Sequence, residues 1–442
     1  MKNVVALVLA GGKIGGFDVL TLNRAKGALP FAGLYRLIDF PLSSLSHSGI
    51  DKVGLIIQYL PASMIEHVGI GQSWDFQGFG RILKIMPPFV GVGTTEWFKG
   101  TADALFRNLN FIFEYLPRDI LVLSGEHIYH TDFDPIIQFH REKNAEITIV
   151  GRRGKPEELS SKYGYFDMDE NKRITYFEEK PLTPTTNLYS LGIYIFKTDS
   201  LVRWLRENDS IPDGAKTNIL AYDIIAKKAL NSLSYGYEII DYWNYLEDIN
   251  VYFLAHRDLL RIDNPIDISS WNVLTNLEDR ELGARAPFYA GPNSKIRHSL
   301  ISAGCAIDGT VEWSVLSPGV IVEKGAEVRD SIIFHDCTIK KGARLNRVVS
   351  DKDSVFGEGC TIGEPSDVLE VEVDKFEGLL PKTFRRIPDQ GLTIIGKNVT
   401  IGREITLKKK CVVYPNMDLT LMYGKTFDIG KRMKPEKERI II

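Results

Sequence analysis

The sequence predicts a two-domain protein, with an α/β domain built on a doubly wound sheet followed by a parallel β-helix. The chain of 442 residues is longer than one ordinary domain. Its first half alternates short apolar runs with helical patterns, as βαβ units do. From about residue 300, apolar residues and glycines recur every six residues, which is a signature of β-helices. A β-sandwich is the alternative for this second half.

The strands of the first half are nearly continuous apolar runs, as expected where both faces of a parallel sheet are covered. Helical patterns lie between them, in 38–50 and 102–116. Ligands bind beyond the carboxyl ends of the strands in such sheets, so LAGG (9–12) and SGEH (124–127) are predicted to share one cleft. The predicted strands are VVALVLA (4–10), KVGLIIQ (52–58), DILVLSG (119–125), AEITIVGR (145–152) and SLGIYIFK (190–197).

The six-residue repeat is regular in two stretches of the second half, and this regularity favours the β-helix over the sandwich. Each coil of a β-helix buries its apolar face only by stacking on its neighbours. The predicted division is a first domain over 1–260, a linker over 261–295 and a β-helix over 296–442, interrupted at about 364–390. The apolar positions that keep the spacing are Ile333, Ile339 and Leu345, and then Ile395, Ile401 and Leu407.

Composition excludes several classes of function. The formal net charge is −3, which is not that of a general nucleic-acid binder. No apolar run reaches the roughly 18–20 residues that span a bilayer, and VVALVLAGG is too short for a signal peptide. The four cysteines are dispersed without a CxxC pair, so neither a zinc site nor a disulfide framework is indicated. We expect a cytoplasmic protein with no nucleic-acid or membrane partner.

Several motifs of the first half, in order and spacing, resemble the ADP-glucose pyrophosphorylase (glucose-1-phosphate adenylyltransferase) family of sugar nucleotidyltransferases. They are LAGG (9–12), NRAKGALPFAG (23–33), YRLIDFPLSS (35–44), EWFKGTADAL (96–105), LSGEHIYHTDF (123–133), YGYF (163–166), FEEKP (177–181) and SLGIY (190–194). The resemblance implies a Rossmann-like nucleotidyltransferase (GT-A-like) domain and a left-handed β-helix. It further implies the Mg²⁺-dependent joining of ATP and glucose 1-phosphate, which yields ADP-glucose and pyrophosphate for glycogen or another glucan.

The resemblance also implies roles for individual residues. Nucleotide contacts are expected from Leu9, Ala10, Gly11, Gly12, Gly100 and Thr101. Sugar-phosphate contacts are expected from Phe98, Gly164, Glu179, Lys180 and Ser190. Lys13, Lys26 and Glu126 are the expected catalytic residues, and Arg24 is expected to contact phosphate beside Lys26. Glu126 and, after a change of register, Glu247 or Asp248 are the candidate metal ligands. Without this context the Glu179–Lys180 pair would be taken for surface charge.

Three departures from the family pattern fall on the phosphate and metal side. Gly16 stands where the family loop GGRGTRL has its second arginine. Glu126 stands for the aspartate of AGDH and is one methylene longer. Tyr245 stands for the aspartate of YWRDVG, and a tyrosine, with an ordinary pKa near 10, is a poor Mg²⁺ ligand at neutral pH. Together they indicate weakened catalysis at the phosphate and metal site, whereas the residues expected to bind the sugar are retained.

Three functions therefore stay open from the sequence. The first is a glucose-1-phosphate adenylyltransferase. The second is a catalytically impaired regulatory subunit that modulates a catalytic paralogue. The third is a nucleotidyltransferase for another sugar phosphate. The resemblance implies an allosteric oligomer, a tetramer of identical chains or one formed with such a paralogue.

Overall fold

The first domain is built around a nine-stranded mixed sheet. The structure is a computed structural model that describes residues 3–12, 15–88, 97–363 and 389–435. The strands of this domain are β1 (Val4–Leu9), β2 (Pro30–Phe31), β3 (Tyr35–Arg36), β4 (Lys52–Ile56), β5 (Ile82–Met86), β6 (Asp119–Ser124), β7 (His127–Tyr129), β8 (Ile147–Arg153), β9 (Gly164–Met168), β10 (Ile174–Glu179), β11 (Leu188–Lys197), β12 (Ser234–Glu238) and β13 (Trp243–Tyr245).

Helices cover both faces of this sheet and extend into the linker. They are α1 (Asp39–His47), α2 (Ala62–Val68), α3 (Thr101–Arg107), α4 (Leu109–Tyr115), α5 (Asp134–Glu142), α6 (Thr198–Asp209), α7 (Ala226–Lys228), α8 (Ile249–Asp258) and α9 (Ile268–Trp271). The predicted helix over 102–116 is two helices that meet at Asn108, whose Nδ2 donates to the Ala104 carbonyl oxygen (2.8 Å). Such side-chain bonds to the backbone compete with helix continuation.

The strand order of the sheet is β12-β8-β11-β6-β1-β4-β5, with β9 and β10 attached at the start of β11. Strands β1, β4 and β6 are parallel, as predicted, and β5, which the sequence did not predict, runs parallel to β4. In contrast, β11 is antiparallel to both β6 and β8, so the sheet is mixed. The apolar run SLGIYIFK reports burial on both faces, and burial does not depend on strand direction.

The second domain is a left-handed parallel β-helix whose coils stack into three sheets. The predicted repeat is confirmed, since Ile333, Ile339, Leu345, Ile395, Ile401 and Leu407 are all buried in its interior. All four cysteines are buried there as free thiols. The strands are β14 (Tyr289–Ala290), β15 (Lys295–Arg297), β16 (Leu300–Ile301), β17 (Ala306–Ile307), β18 (Thr310–Glu312), β19 (Val315–Leu316), β20 (Ile321–Val322), β21 (Glu327–Arg329), β22 (Ile332–Ile333), β23 (Thr338–Ile339), β24 (Arg344–Asn346), β25 (Val348–Ser350), β26 (Val355–Phe356), β27 (Thr361–Ile362), β28 (Thr393–Ile395), β29 (Thr400–Ile401), β30 (Thr406–Leu407), β31 (Val412–Val413), β32 (Thr426–Phe427) and β33 (Arg432–Met433).

The predicted interruption of the β-helix lies almost wholly outside the described residues. The coils on either side of it nevertheless stack directly, because β25 pairs with β28 and β27 pairs with β30. At the other end, β14 and part of β15 lie within the range predicted as linker.

The two domains share an apolar interface and a set of charged contacts. Phe17 and Phe31 of the first domain belong to the same buried cluster as Phe334 of the β-helix. Beside this cluster, Arg24 Nη2 donates to Asp351 Oδ1 (2.8 Å), with both side chains at most 5% exposed. These contacts fix the first domain against the side of the β-helix.

A second charged group joins the first domain to the linker. His67 lies between two carboxylates, with Nε2 2.6 Å from Asp39 Oδ1 and Nδ1 3.0 Å from Asp279 Oδ2. Burial acts to lower the pKa of His67, but the two carboxylates outweigh it and the pKa is raised. Arg36, near the start of α1, also pairs with Asp279. Among the described residues, none of the helices has the length and apolar character needed to cross a membrane.

Candidate active site

A cavity of about 700 Å³ opens at the carboxyl ends of strands β1, β4 and β6. The two segments predicted to share a cleft both line it, and the Gly125 N–H donates to the Leu9 carbonyl oxygen (2.9 Å) between them. Ala10 and Lys26 are buried and are not among the lining residues, and Lys13 lies outside the described residues. The sequence-predicted residues that line the cavity are Leu9, Gly11, Gly12, Phe98, Gly100, Thr101, Glu126, Gly164, Glu179, Lys180 and Ser190.

The loop after β1 packs closely against its surroundings at Gly11 and Gly12. A Cβ on Gly11 would lie 3.0 Å from the Gln58 backbone nitrogen. A Cβ on Gly12 would lie 2.9 Å from Glu126 Oε1. The double glycine thus brings the loop backbone against both the β4 end and the Glu126 carboxylate, and leaves the backbone open to the cavity.

The packing also explains Gly16, which replaces a family arginine. Its φ is +85°, and a Cβ would lie 2.9 Å from the Glu247 carbonyl oxygen. The Ile249 N–H donates to the Gly16 carbonyl oxygen (2.8 Å) at the start of α8. A side chain at this position therefore requires the loop to move away from α8.

Residues 98–101 form the wall beside this loop. The Phe98 N–H donates to Gln58 Oε1 (2.7 Å), and Gln58 Nε2 donates to the Phe98 carbonyl oxygen (3.2 Å). The Leu220 N–H donates to Thr101 Oγ1 (2.8 Å). A Cβ on Gly100 would lie only 2.3 Å from the Asn218 carbonyl oxygen, so this position admits no side chain without a backbone shift.

The predicted sugar side forms the opposite wall. Glu179 ends β10, and its Oε1 lies 3.7 Å from Lys180 Nζ. Burial raises the pKa of Glu179, and Lys180 opposes this effect. A Cβ on Gly164 would lie 2.6 Å from Glu179 Oε2, so the glycine makes room for this carboxylate. Ser190 Oγ donates to the Tyr194 hydroxyl (3.2 Å). These groups can offer hydrogen bonds to a polyol.

Glu126 lies where the loop and the predicted phosphate side meet. Its Oε2 is 3.5 Å from Lys26 Nζ, and both side chains are about nine-tenths buried. Burial lowers the pKa of Lys26, while Glu126 acts in the opposite direction. Lys26 therefore does not line the cavity itself but contacts Glu126, which does.

The aromatic ring of Tyr245 occupies the position opposite this ion pair. Tyr245 lies directly across from His127 in the β13–β7 ladder, next to Glu126. Lys26 Nζ lies 4.2 Å from the centroid of the Tyr245 ring, within cation–π range. Burial, together with Glu126 and Glu247, raises the pKa of Tyr245 to about 12. The phenol is therefore protonated at neutral pH.

The acidic residues that follow Tyr245 have structural partners. Asp248 is the N-cap of α8, and its Oδ1 accepts hydrogen bonds from the Asn250 and Val251 N–H groups (2.9 Å each). It does not line the cavity. The structure thus does not bring Asp248 into the site, where a metal ligand would be needed. Glu247 Oε2 lies 3.3 Å from Lys162 Nζ.

The residues present do not fit a two-carboxylate Mg²⁺ site. Mg²⁺ requires short, near-octahedral oxygen ligation. Glu126 is the one predicted ligand that faces the cavity, and it is paired with an ammonium group. A protonated phenol occupies the second position. Within the described ranges, no group of three or more His, Cys, Asp or Glu side chains is arranged to hold a metal.

Arg24, which the sequence predicted to contact phosphate, lies elsewhere. Its side chain points into the domain interface, where it pairs with Asp351 and donates to the Leu20 carbonyl oxygen (3.3 Å). It does not line the cavity. The prediction for Arg24 was therefore wrong, because the partner that holds it is 327 residues away in the chain.

Among the lining residues that the sequence did not single out are Gln58 and Lys162. Gln58 follows β4 at the same edge as the glycine loop, and that placement was a usable signal. Lys162 comes from the loop before β9 and has no recognisable pattern around it, whereas Trp243 lies in the stretch that resembles YWRDVG. His127, which belongs to the predicted SGEH segment, also lines the cavity, and burial, aided by Lys26, lowers its pKa to about 3, so its ring is neutral.

Comparisons with known proteins agree with the two-domain architecture. Residues 5–261 match the family model described as nucleotidyl transferase, and residues 287–373 match the one described as GlmU-like, C-terminal hexapeptide. The chain is 33% identical to a glucose-1-phosphate adenylyltransferase of Desulforamulus reducens over 93% of this chain and 98% of that protein. It is 39% identical to the protein of the same name from Clostridium beijerinckii over 75% of this chain and 84% of that protein.

A further relative from Acetivibrio thermocellus, also named glucose-1-phosphate adenylyltransferase, is 32% identical over 94% of this chain and 93% of its own length. These matches cover both domains. The chain belongs to the glucose-1-phosphate adenylyltransferase family of nucleotidyltransferases.

Proposed function

We propose that this chain acts as a glucose-1-phosphate adenylyltransferase, which converts ATP and glucose 1-phosphate into ADP-glucose and pyrophosphate for glycogen or another glucan. The single observation that carries the proposal is that one cavity joins the glycine loop 9–12, the wall 98–101 and the Glu179–Lys180 pair. A sugar nucleotide has a nucleoside end, a diphosphate and a sugar end, and the cavity offers a matching surface for each.

In this proposal, the nucleotide lies against Leu9, Gly11, Gly12, Gly100 and Thr101. The sugar phosphate lies against Phe98, Gly164, Glu179, Lys180 and Ser190. A phosphate oxygen of the sugar attacks the α-phosphorus of ATP in line, and pyrophosphate leaves. The chain contributes alignment of the two reactants, with Lys13, Lys26 and Glu126 on the phosphate side, where the two lysines supply positive charge.

A second candidate function is that of a catalytically impaired subunit that modulates a catalytic paralogue. The observation that favours it is the pairing of Glu126 with Lys26 over the ring of Tyr245. This arrangement leaves no two-carboxylate clamp for a metal, and such a clamp lowers the barrier of phosphoryl transfer. The sugar side is unaffected, so such a subunit still binds ligand.

The proposed setting is the cytoplasm, with the chain in a homo- or hetero-oligomer such as a tetramer. Four free cysteines buried in the β-helix agree with a reducing compartment. Neither a nucleic acid nor a membrane is proposed as a partner.

The test is ADP-glucose formation by the purified chain from ATP, glucose 1-phosphate and Mg²⁺, alone and mixed with a catalytic paralogue. Turnover by the chain alone that is lost in Glu179→Gln supports the first function. No turnover by the chain alone, together with altered kinetics of the paralogue on mixing, supports the second function. No turnover by the chain alone and no effect on the paralogue contradict both functions.

A further inference from the structure

Two acidic groups, one lining the phosphate end of the cavity and one beside it, have cationic partners within the chain. Glu126 Oε2 lies 3.5 Å from Lys26 Nζ, and Glu247 Oε2 lies 3.3 Å from Lys162 Nζ. Of these two carboxylates, Glu126 is the one that lines the cavity, and it is matched by one ammonium group. A divalent cation entering here meets compensated charge instead of a net negative site.

The Lys26–Glu126 pair is held from several sides. Lys26 Nζ lies 4.2 Å from the centroid of the Tyr245 ring and 5.4 Å from that of Phe17. On the other side, Glu126 Oε1 reaches the glycine loop, where a Cβ on Gly12 would lie 2.9 Å away. The lysine is 7% exposed, so it has no alternative position in solvent without leaving its two rings.

A metal ion cannot compete with Lys26 for the Glu126 carboxylate. Mg²⁺ gives up its water reluctantly and requires near-octahedral oxygen ligation. To bind Glu126 it has to displace Lys26, because two cations beside one carboxylate at this depth repel each other strongly. The ring of Tyr245 occupies the side from which a second carboxylate would come.

We propose that Lys26 is the resident cation of this site and that the cavity binds its sugar nucleotide without a divalent metal. Lys26 acts through Glu126 and is therefore a positioning residue. The inference rests on the proposed function, since it takes ADP-glucose as the ligand. It goes further in stating that the charge of Glu126 is neutralised by the chain itself.

The experiment is calorimetric titration of the full chain with ADP-glucose in EDTA and in excess Mn²⁺. For the wild type, we expect dissociation constants that agree within about twofold in the two buffers, the scale of a weak electrostatic effect. Binding that needs Mn²⁺, with at least about a tenfold loss in EDTA, overturns the inference and leaves the proposed function standing. No binding in either buffer overturns both.

Two variants separate charge compensation from a merely structural role. In Lys26→Met the apolar stem is kept and Glu126 is left unpaired, so Mn²⁺ should strengthen ADP-glucose binding by about tenfold over EDTA. If Lys26 only supported the fold, affinity would fall equally in both buffers, and that result overturns the inference. Tyr245→Asp adds a carboxylate and keeps Lys26, so Mn²⁺ should strengthen ADP-glucose binding in this variant by less than in Lys26→Met. This variant provides the test if Lys26→Met fails to fold.

The matched control is Lys84→Met. Lys84 is a half-exposed lysine that pairs with Glu114 and does not line the cavity. It therefore reports the effect of removing one positive charge from the chain. Its dissociation constants should equal those of the wild type in both buffers, and an Mn²⁺ response in this variant would overturn the assignment to Lys26.

Discussion

Replacing Arg24 with methionine should destabilise the protein at the interface between its two domains. The guanidinium lies 2.8 Å from Asp351, and the two side chains are 5% and 2% exposed. Methionine keeps most of the buried volume but leaves the Asp351 carboxylate without its partner. Removing one member of a buried pair costs about 3–5 kcal/mol. We therefore expect a loss of about 3 kcal/mol in the free energy of the first unfolding transition.

The measurement is guanidinium unfolding followed by tryptophan fluorescence, fitted transition by transition because a two-domain chain need not unfold in one step. The double variant Arg24→Met with Asp351→Leu removes both charges and should recover a large part of the loss. Its deviation from additivity should exceed about 1 kcal/mol, since the two residues are in contact.

A second contact between the domains provides the control. Arg432 forms two hydrogen bonds with Asp18 (2.7 Å each), but the arginine side chain is 44% exposed. Solvent screens such a pair, so Arg432→Met should cost less than about 1 kcal/mol. If Arg24→Met costs no more than Arg432→Met, or if the losses from the Arg24 and Asp351 replacements simply add, the reasoning from burial is wrong.

Three further predictions follow from other contacts. Glu179→Gln should raise the Michaelis or dissociation constant for glucose 1-phosphate by about tenfold, because a charged hydrogen-bond acceptor is lost, with little change in the affinity for ADP; equal losses for both ligands would contradict this. Gly100→Ala should destabilise the chain by about 1–3 kcal/mol, because its Cβ would lie 2.3 Å from the Asn218 carbonyl oxygen; an unchanged melting temperature would refute the close contact. The raised pKa of His67 beside Asp279 gives stability that is complete below the ordinary value of 6.5 and is lost as pH rises through the raised value. His67→Gln should therefore flatten the stability profile above about pH 6.5, and a profile parallel to that of the wild type would show that the ring does not titrate as described.

The sequence predicted those features that depend on local pattern. Ile333, Ile339 and Leu345 lie in the β-helix interior because the six-residue repeat places one apolar side chain on each coil face. The glycine loop and Glu126 meet because the carboxyl ends of neighbouring parallel strands share one edge. Such rules need only the order of elements along the chain.

Other features depend on contacts that no local pattern records. Arg24 was assigned to phosphate because of its neighbours in the motif, whereas a carboxylate in the β-helix holds it. The antiparallel direction of β11 could not be predicted, because an apolar run indicates burial but not the direction of the strand. Gly16 was interpreted as a lost cation, and no local pattern recorded that the Glu247 carbonyl oxygen lies 2.9 Å from where its Cβ would be.

The central claim is that one cavity binds a sugar nucleotide with its two ends at opposite walls. A crystal structure of the full chain soaked with ADP-glucose tests it most directly. We predict the adenosine against the loop 9–12 and Thr101, and the glucose hydroxyls within hydrogen-bond distance of Glu179. Glucose placed away from Glu179, or ADP-glucose bound outside this cavity, would contradict the account.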